Sequence, residues 1–231
     1  MQEYDIEFKN KRANDIRLYV VKRPNIPAPR KRYREYDIPG RDGVCYEDEE
    51  TIDDIEIGVE FNFMEKPDKW FGAFDKAKEW LLDGSGKLKF GDDKEFFYKV
   101  KKVEIDTAER VCYEIGRFTA TFFCGGYRYF ESGEKEYREI KYNPGKTSHP
   151  IYKVKGTGEC VLSVNGKEIT AIVQDNLTID TDLMIAYRED KTMTNTAVTG
   201  WYEDMYLKPG ENNISISDKF ELKIIPRWRC L

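Results

Sequence analysis

Ile55-Glu56-Ile57-Gly58-Val59-Glu60-Phe61-Asn62-Phe63 is the stretch on which the fold turns. Every odd position is apolar and every even one is Glu, Gly or Asn. That two-residue period belongs to a strand with one face in a core and the other in water. Just after it the period changes. Trp70, Phe71, Phe74, Ala77 and Leu81 recur three or four apart, with Pro67 and Asp68 before them and Gly84 after. This predicts a helix over 68–82, capped by Asp68 and packed on a sheet through that face. Upstream, Tyr4, Ile6 and Phe8 alternate with charged residues, and 15–21 and 30–38 read as extended. Pro39-Gly40 and Asp42-Gly43 then punctuate the chain. Downstream, 88–90, 96–105 and 111–123 read as strands.

Gly125-Gly126 and the charged stretch 131–136 read as a linker, after which short strand-like segments follow one another: 151–154, 160–164, 169–173, 177–179, 183–187, 213–216 and 220–225. Asn165-Gly166 is a tight hairpin signal. Leu207-Lys208-Pro209-Gly210-Glu211-Asn212-Asn213-Ile214 carries a further turn, and 225–231 is expected to be a strand built into a sheet. Short strands at this spacing suggest an all-β sandwich. The sequence thus predicts a mainly β protein with two domains, 1–135 and 136–231.

Composition narrows the function classes. Of 231 residues, 40% are apolar, enough for a packed core, and 14% are aromatic, which suits strands. The net charge of −5 offers no global attraction to nucleic acid or to an anionic membrane. Cys45, Cys112, Cys124, Cys160 and Cys230 are odd in number and lack C-x-x-C spacing, which argues for buried thiols in a reducing compartment rather than a disulfide framework. Met1-Gln2-Glu3-Tyr4-Asp5 is charged at once, unlike a signal peptide. No apolar run approaches the ~20 residues of a membrane span.

Catalytic chemistry has little to draw on. His149 is the single histidine, and it is expected to be a loop residue with no carboxylate or thiol arranged to activate it. The scattered cysteines offer no metal set, so no metal and no cofactor are expected. Gly84-Ser85-Gly86-Lys87 follows a helix and precedes a strand, the reverse of a phosphate loop, and reads as a helix stop. Two segments of opposite sign stand out. Lys22, Arg23, Arg30, Lys31, Arg32 and Arg34 form a basic arm stiffened by Pro24, Pro27 and Pro29. Glu47, Asp48, Glu49, Glu50, Asp53, Asp54 and Glu56 form an acidic run without the glycine and spacing of a calcium loop. The acidic run is either a solvated loop or a subunit contact, and the basic arm, with Tyr33 and Tyr36, is either its counterpart or an RNA contact. Trp201, Tyr202 and Tyr206 are candidates for stacking on a sugar, or else core and edge residues.

The series of motifs along the chain resembles one family. Pro24-Asn25-Ile26-Pro27-Ala28-Pro29 is followed by Ile38-Pro39-Gly40-Arg41-Asp42-Gly43, and Trp80-Leu81-Leu82-Asp83-Gly84-Ser85-Gly86-Lys87-Leu88 comes next. Thr121-Phe122-Phe123-Cys124-Gly125-Gly126-Tyr127 closes the first domain, and Asn143-Pro144-Gly145-Lys146-Thr147-Ser148-His149-Pro150 opens the second. The 207–213 turn and Pro226-Arg227-Trp228-Arg229 finish it. In order and spacing these resemble the distal tail (Dit) proteins of long non-contractile-tailed phages and their prophage relatives.

The resemblance implies an N-terminal β-sandwich-like domain with one helix and a protruding arm, closing into a homo-hexameric ring. It also implies a C-terminal galectin-like β-sandwich outside the ring. Such a ring is assembled in the host cytoplasm and sits at the virion tail tip. It joins the tail tube protein to a tail-associated lysin or a receptor-binding protein. The histidine-Asn-Pro-Arg cluster of sugar-binding galectins is absent, and Trp201-Tyr202-Glu203 lacks the glycine after tryptophan. Two other classes stay open: a carbohydrate-binding module, which needs an outward aromatic platform, and a β-sandwich enzyme, which needs His149 or paired carboxylates converging in a cleft.

Overall fold

The computed structural model describes residues 4–231, so the first three residues of the charged start lie outside the described part. The chain is mainly β, and Trp70–Leu82 is the one α-helix among the described residues. It divides into two compact units, 4–128 together with Leu231, and 129–230.

In the first unit the strands run in the order Lys11–Arg12, Ile6–Phe8, Gly86–Phe90, Asp93–Ile105, Ile115–Phe130, Ile55–Met64 and Tyr19–Val20. The alternation quoted above is realised literally. Ile55, Ile57, Val59, Phe61 and Phe63 are buried, while Glu56 and Gly58 are exposed. Antiparallel pairing sets Phe61 opposite Phe118, Val59 opposite Ala120 and Ile57 opposite Phe122, so two apolar faces coincide. Gly116 lies opposite Phe63 because the ring occupies its side-chain space; a Cβ there would stand 2.3 Å from Phe63 Cζ.

The helix packs on this face, but with a different set of residues from the expected one. Trp70, Ala77, Trp80 and Leu81 are buried and Phe74 is half-buried, whereas Phe71 is 65% exposed. Trp80 wins its place because its ring packs edge-on against Phe8 and Phe61, and its Nε1 donates to the Phe8 carbonyl at 3.1 Å. An indole is buried readily when its N–H finds an acceptor. Asp68 does not cap the helix. The helix begins at Trp70 after a turn in which the Lys69 amide donates to the Lys66 carbonyl, and the N-cap residue, Lys69, makes no side-chain cap bond.

The second unit is built on one long hairpin. Ile151–Val164 and Lys167–Asp180 pair along their whole length around Asn165-Gly166, whose φ values of 53° and 80° suit a two-residue turn. The sequence reading broke each of these strands in two, at the glycines of one and at the polar 174–176 stretch of the other. The structure instead bends both strands at the same place, where Gly156 (φ 150°) faces Asp175 (φ 84°). Gly156 is needed for a second reason, since a Cβ there would lie 2.5 Å from the Phe220 ring.

On either side of the bend the partners differ. The 151–155 half pairs with Glu221–Ile225, and the 162–164 half with Ile214–Ile216. Residues from both halves, such as Tyr152 and Leu177 from one and Leu162 and Ile169 from the other, enter one core. Tyr152 is fully buried and its hydroxyl donates to the Met205 carbonyl at 2.8 Å; burial pushes that phenol's pKa up. At the strand end, Arg227 holds Asp180 by two hydrogen bonds, Nη1 to Oδ1 at 2.7 Å and Nη2 to Oδ2 at 2.9 Å. Only 3% of the Asp180 side chain is exposed.

Two outcomes follow. Phe61→Ala should lower stability by about 3–5 kcal/mol, as expected for a fully buried ring, while Phe71→Ala should be nearly silent in denaturant melts. Asp180→Asn should cost about 3 kcal/mol because it removes the main counter-charge of a largely buried guanidinium and leaves only Asp182, 3.9 Å away; an unchanged midpoint would show that the pair contributes little.

Candidate functional site

The two charged segments singled out in the sequence are partners in one element. Lys31–Asp37 and Val44–Ile52 form a two-stranded antiparallel hairpin, joined through the Pro39-Gly40-Arg41-Asp42-Gly43 turn, with Gly40 and Gly43 at φ 81° and 84°. Every residue of the first strand is exposed. The opposed charges meet across the ladder. Lys31 Nζ lies 2.5 Å from Asp48 Oδ2, Arg32 Nε 2.5 Å from Asp53 Oδ1, and Arg34 Nη2 3.4 Å from Glu49 Oε1. The Tyr36 hydroxyl donates to Glu47 Oε2 at 2.6 Å, and the Glu50 amide donates to Asp48 Oδ1 at 2.9 Å.

The bond from Lys31, then that from the Glu50 amide, holds the Asp48 carboxyl below the usual aspartate range, and the Asp48 contact raises Lys31 in turn. A lowered carboxylate value means the pair is kept at neutral pH and lost as pH falls through that value. The remaining members of the two segments hold onto the sheet. Lys22 pairs with Glu60 at 3.7 Å, Arg23 with Asp92 at 2.9 Å, and Asp54 accepts from Lys101 at 2.7 and 2.8 Å. Arg30 has no ion pair among the described residues. A signal for this arrangement was present in the sequence: a turn motif flanked by tracts of opposite charge is also the pattern of a hairpin with cross-strand ion pairs.

With its charges matched internally, the hairpin presents rings outward. Tyr33 (51% exposed) and Tyr46 (64%) meet edge-on at 6.2 Å with Val44 exposed on the same face, while Tyr36 is exposed on the opposite face beside Glu47.

In the second unit the candidate aromatics do not share a face. Trp201 is 75% exposed. Tyr202 packs against the core, with its hydroxyl buried and its pKa raised by that burial. Tyr206 stacks on the His149 ring at 4.0 Å between centroids.

His149 departs from expectation, because a carboxylate does address it. Its Nδ1 lies 2.9 Å from Asp182 Oδ1 and its Nε2 3.0 Å from Arg229 Nη2. A guanidinium can only donate, so Nε2 is the acceptor and Nδ1–H donates to Asp182. The nitrogen that a general base would use is thereby engaged, and the ring acts as a clamp between three chain segments. Sequence spacing gave no hint of this, since 149, 182 and 229 meet only through the long hairpin and the chain end. Among the described residues, no three His, Cys, Asp or Glu side chains converge as a metal site, and no helix is long and apolar enough to cross a membrane.

No family model matches the sequence, and no curated protein matches it. Among solved structures the chain is similar to one described as SPP1 Dit (gp 19.1), a paradigm of hub adsorption apparatus in Gram-positive-infecting phages. The match has a TM-score of 0.70 and covers 96% of this chain and 98% of that one, at 13% identity. At that identity the likeness is one of fold. The chain therefore has a Dit-like fold over nearly its whole length.

Proposed function

We propose that this chain is a structural protein of a phage tail tip, a virion component assembled in the host cytoplasm. Copies close into a homo-hexameric ring joining the tail tube protein to a tail-associated lysin or receptor-binding protein. The observation that carries this reading is the likeness, over 96% of the chain, to a phage hub protein. The first unit is the ring builder, and the second is a galectin-like sandwich on its outside with no catalytic role.

The arm supports this reading. A two-stranded hairpin exposed on both faces is marginal alone in water, which favours a partner for it. Its basic and acidic residues, Lys31, Arg32, Arg34, Glu47, Asp48, Glu49 and Asp53, bond within the arm rather than reaching for an opposite charge elsewhere. Tyr33 and Tyr46, together on one face, are then what it offers to a neighbour. A second reading, a carbohydrate-binding module, rests on the exposure of Trp201 alone, and a sugar site needs convergent polar groups as well.

Purified protein should show a six-fold mass by light scattering and rings by electron microscopy. A monomer at every concentration, with and without tail tube protein, would sink the proposal. Tyr33→Ala with Tyr46→Ala should weaken the ring while leaving the thermal midpoint of the monomer unchanged. Arg32→Glu with Arg34→Glu should open the hairpin itself, read as new protease sites between 30 and 53. Binding to glycans that disappears in Trp201→Ala would favour the second reading.

A further inference from the structure

Away from the arm, the first unit exposes a second set of apolar side chains. The loop between Glu109–Arg110 and Ile115–Phe130 carries Val111 (60% exposed), Cys112 and Tyr113 (84%) at its tip. Met64 (63%) is the register partner of Ile115 at the base of this loop, and the Glu65 amide donates to the Glu114 carbonyl. Phe71 (65%) joins the patch through Arg110, whose guanidinium lies 4.8 Å over Trp70 and 5.4 Å over Phe71. Scattered exposed apolar residues are ordinary, but four gathered about one loop, at its tip, at its base and on the helix that its Arg110 reaches, mark a candidate contact surface.

The same strand ends in a surface of the opposite shape. Its Gly126 packs against Pro29 and Asp53, and Pro29 belongs to a groove of about 800 Å³ lined by Pro24, Ile26, Pro27, Phe90 and Tyr98 among others. From Ile115 to Gly126 there is roughly 35 Å of strand at ~3.3 Å per residue, so the knob of one copy does not reach its own groove.

We propose that the knob around Val111 and Tyr113 seats in the proline-walled groove of the next copy, and that this is the apolar contact that closes the ring. The inference rests on the ring reading above. Heterologous closure requires two unlike surfaces on one subunit, and placing them at opposite ends of a single strand makes the joint head-to-tail. The charges agree. Arg110 is drawn over the aromatic rings, and the Glu109 and Glu114 carboxylates of the knob have no ion pair among the described residues. At the groove, Arg23 and Arg128 are matched by Asp92 and Asp93, while Arg30, next in the chain to the groove residue Pro29, has no ion pair among the described residues.

The test uses exposed residues so that the fold is spared. Val111→Asp with Tyr113→Asp, and separately Ile26→Asp, should each abolish the six-fold mass with the monomer's melting midpoint retained. As an independent readout, Ile26→Cys in a Cys45→Ser background should form oxidation-dependent cross-links to the native Cys112, as a ladder ending at the closed ring. Cys45→Ser alone should not, and if a charged variant melts early the ladder decides. Rings that persist in both aspartate variants, or wild-type rings with no ladder, overturn this contact and leave the ring reading standing. A wild-type chain that stays monomeric and gives no ladder at its highest soluble concentration overturns both.

Discussion

The register between Ile55–Met64 and Ile115–Phe130 is the constraint on which the first unit depends. A shift of one residue would send Ile57, Val59, Phe61 and Phe63 into water and bring Glu56 and Glu60 into the core. The pairing is held by matched apolar faces, with Phe61 on Phe118, and by the helix laid across them. Trp80 ties that helix to the first strand through the Phe8 carbonyl, so strand order, helix placement and core are one arrangement. Gly116, under the Phe63 ring, shows how little slack the register leaves.

The arm is stabilised on other terms. It has no core of its own, and exposed ion pairs contribute little individually because water and salt screen them. Several of them in one ladder do fix which residue faces which. The hairpin thereby keeps a defined outward face of tyrosines without burying anything. A feature that reads as two sticky patches of opposite sign is thus electrostatically closed, and its adhesive quality is aromatic.

In the second unit polar residues carry the specification that apolar packing leaves open. Arg227 gripping Asp180, the Asp182–His149–Arg229 chain and the Tyr152 hydroxyl on Met205 each join segments far apart in sequence. Each of these polar groups has a defined partner, and such matched contacts fix a unique arrangement where a greasy interface would tolerate several. His149 shows why a His–Asp contact is weak grounds for catalysis: the third partner, an arginine, occupies the nitrogen that chemistry would need.

Local periodicity by itself determined the alternating strand at 55–63, the existence of the helix, the Asn165-Gly166 hairpin and the mainly β class, because each is written within a few residues and follows from backbone geometry. The motif series also pointed to the family whose fold the structure shares. Tertiary structure alone decided the rest. It chose Trp80 over Phe71 for the core, because position 80 meets the Phe8 and Phe61 rings of the sheet whereas position 71 is left in solvent. It joined the broken strands of the second unit into one bent hairpin, because a glycine opposite a positive-φ aspartate lets the ladder continue where the sequence signals a turn. It paired the arm's charges with each other, since which carboxylate a given arginine meets depends on strand pairing. And it brought Asp182 and Arg229 to His149, across separations that no local pattern encodes.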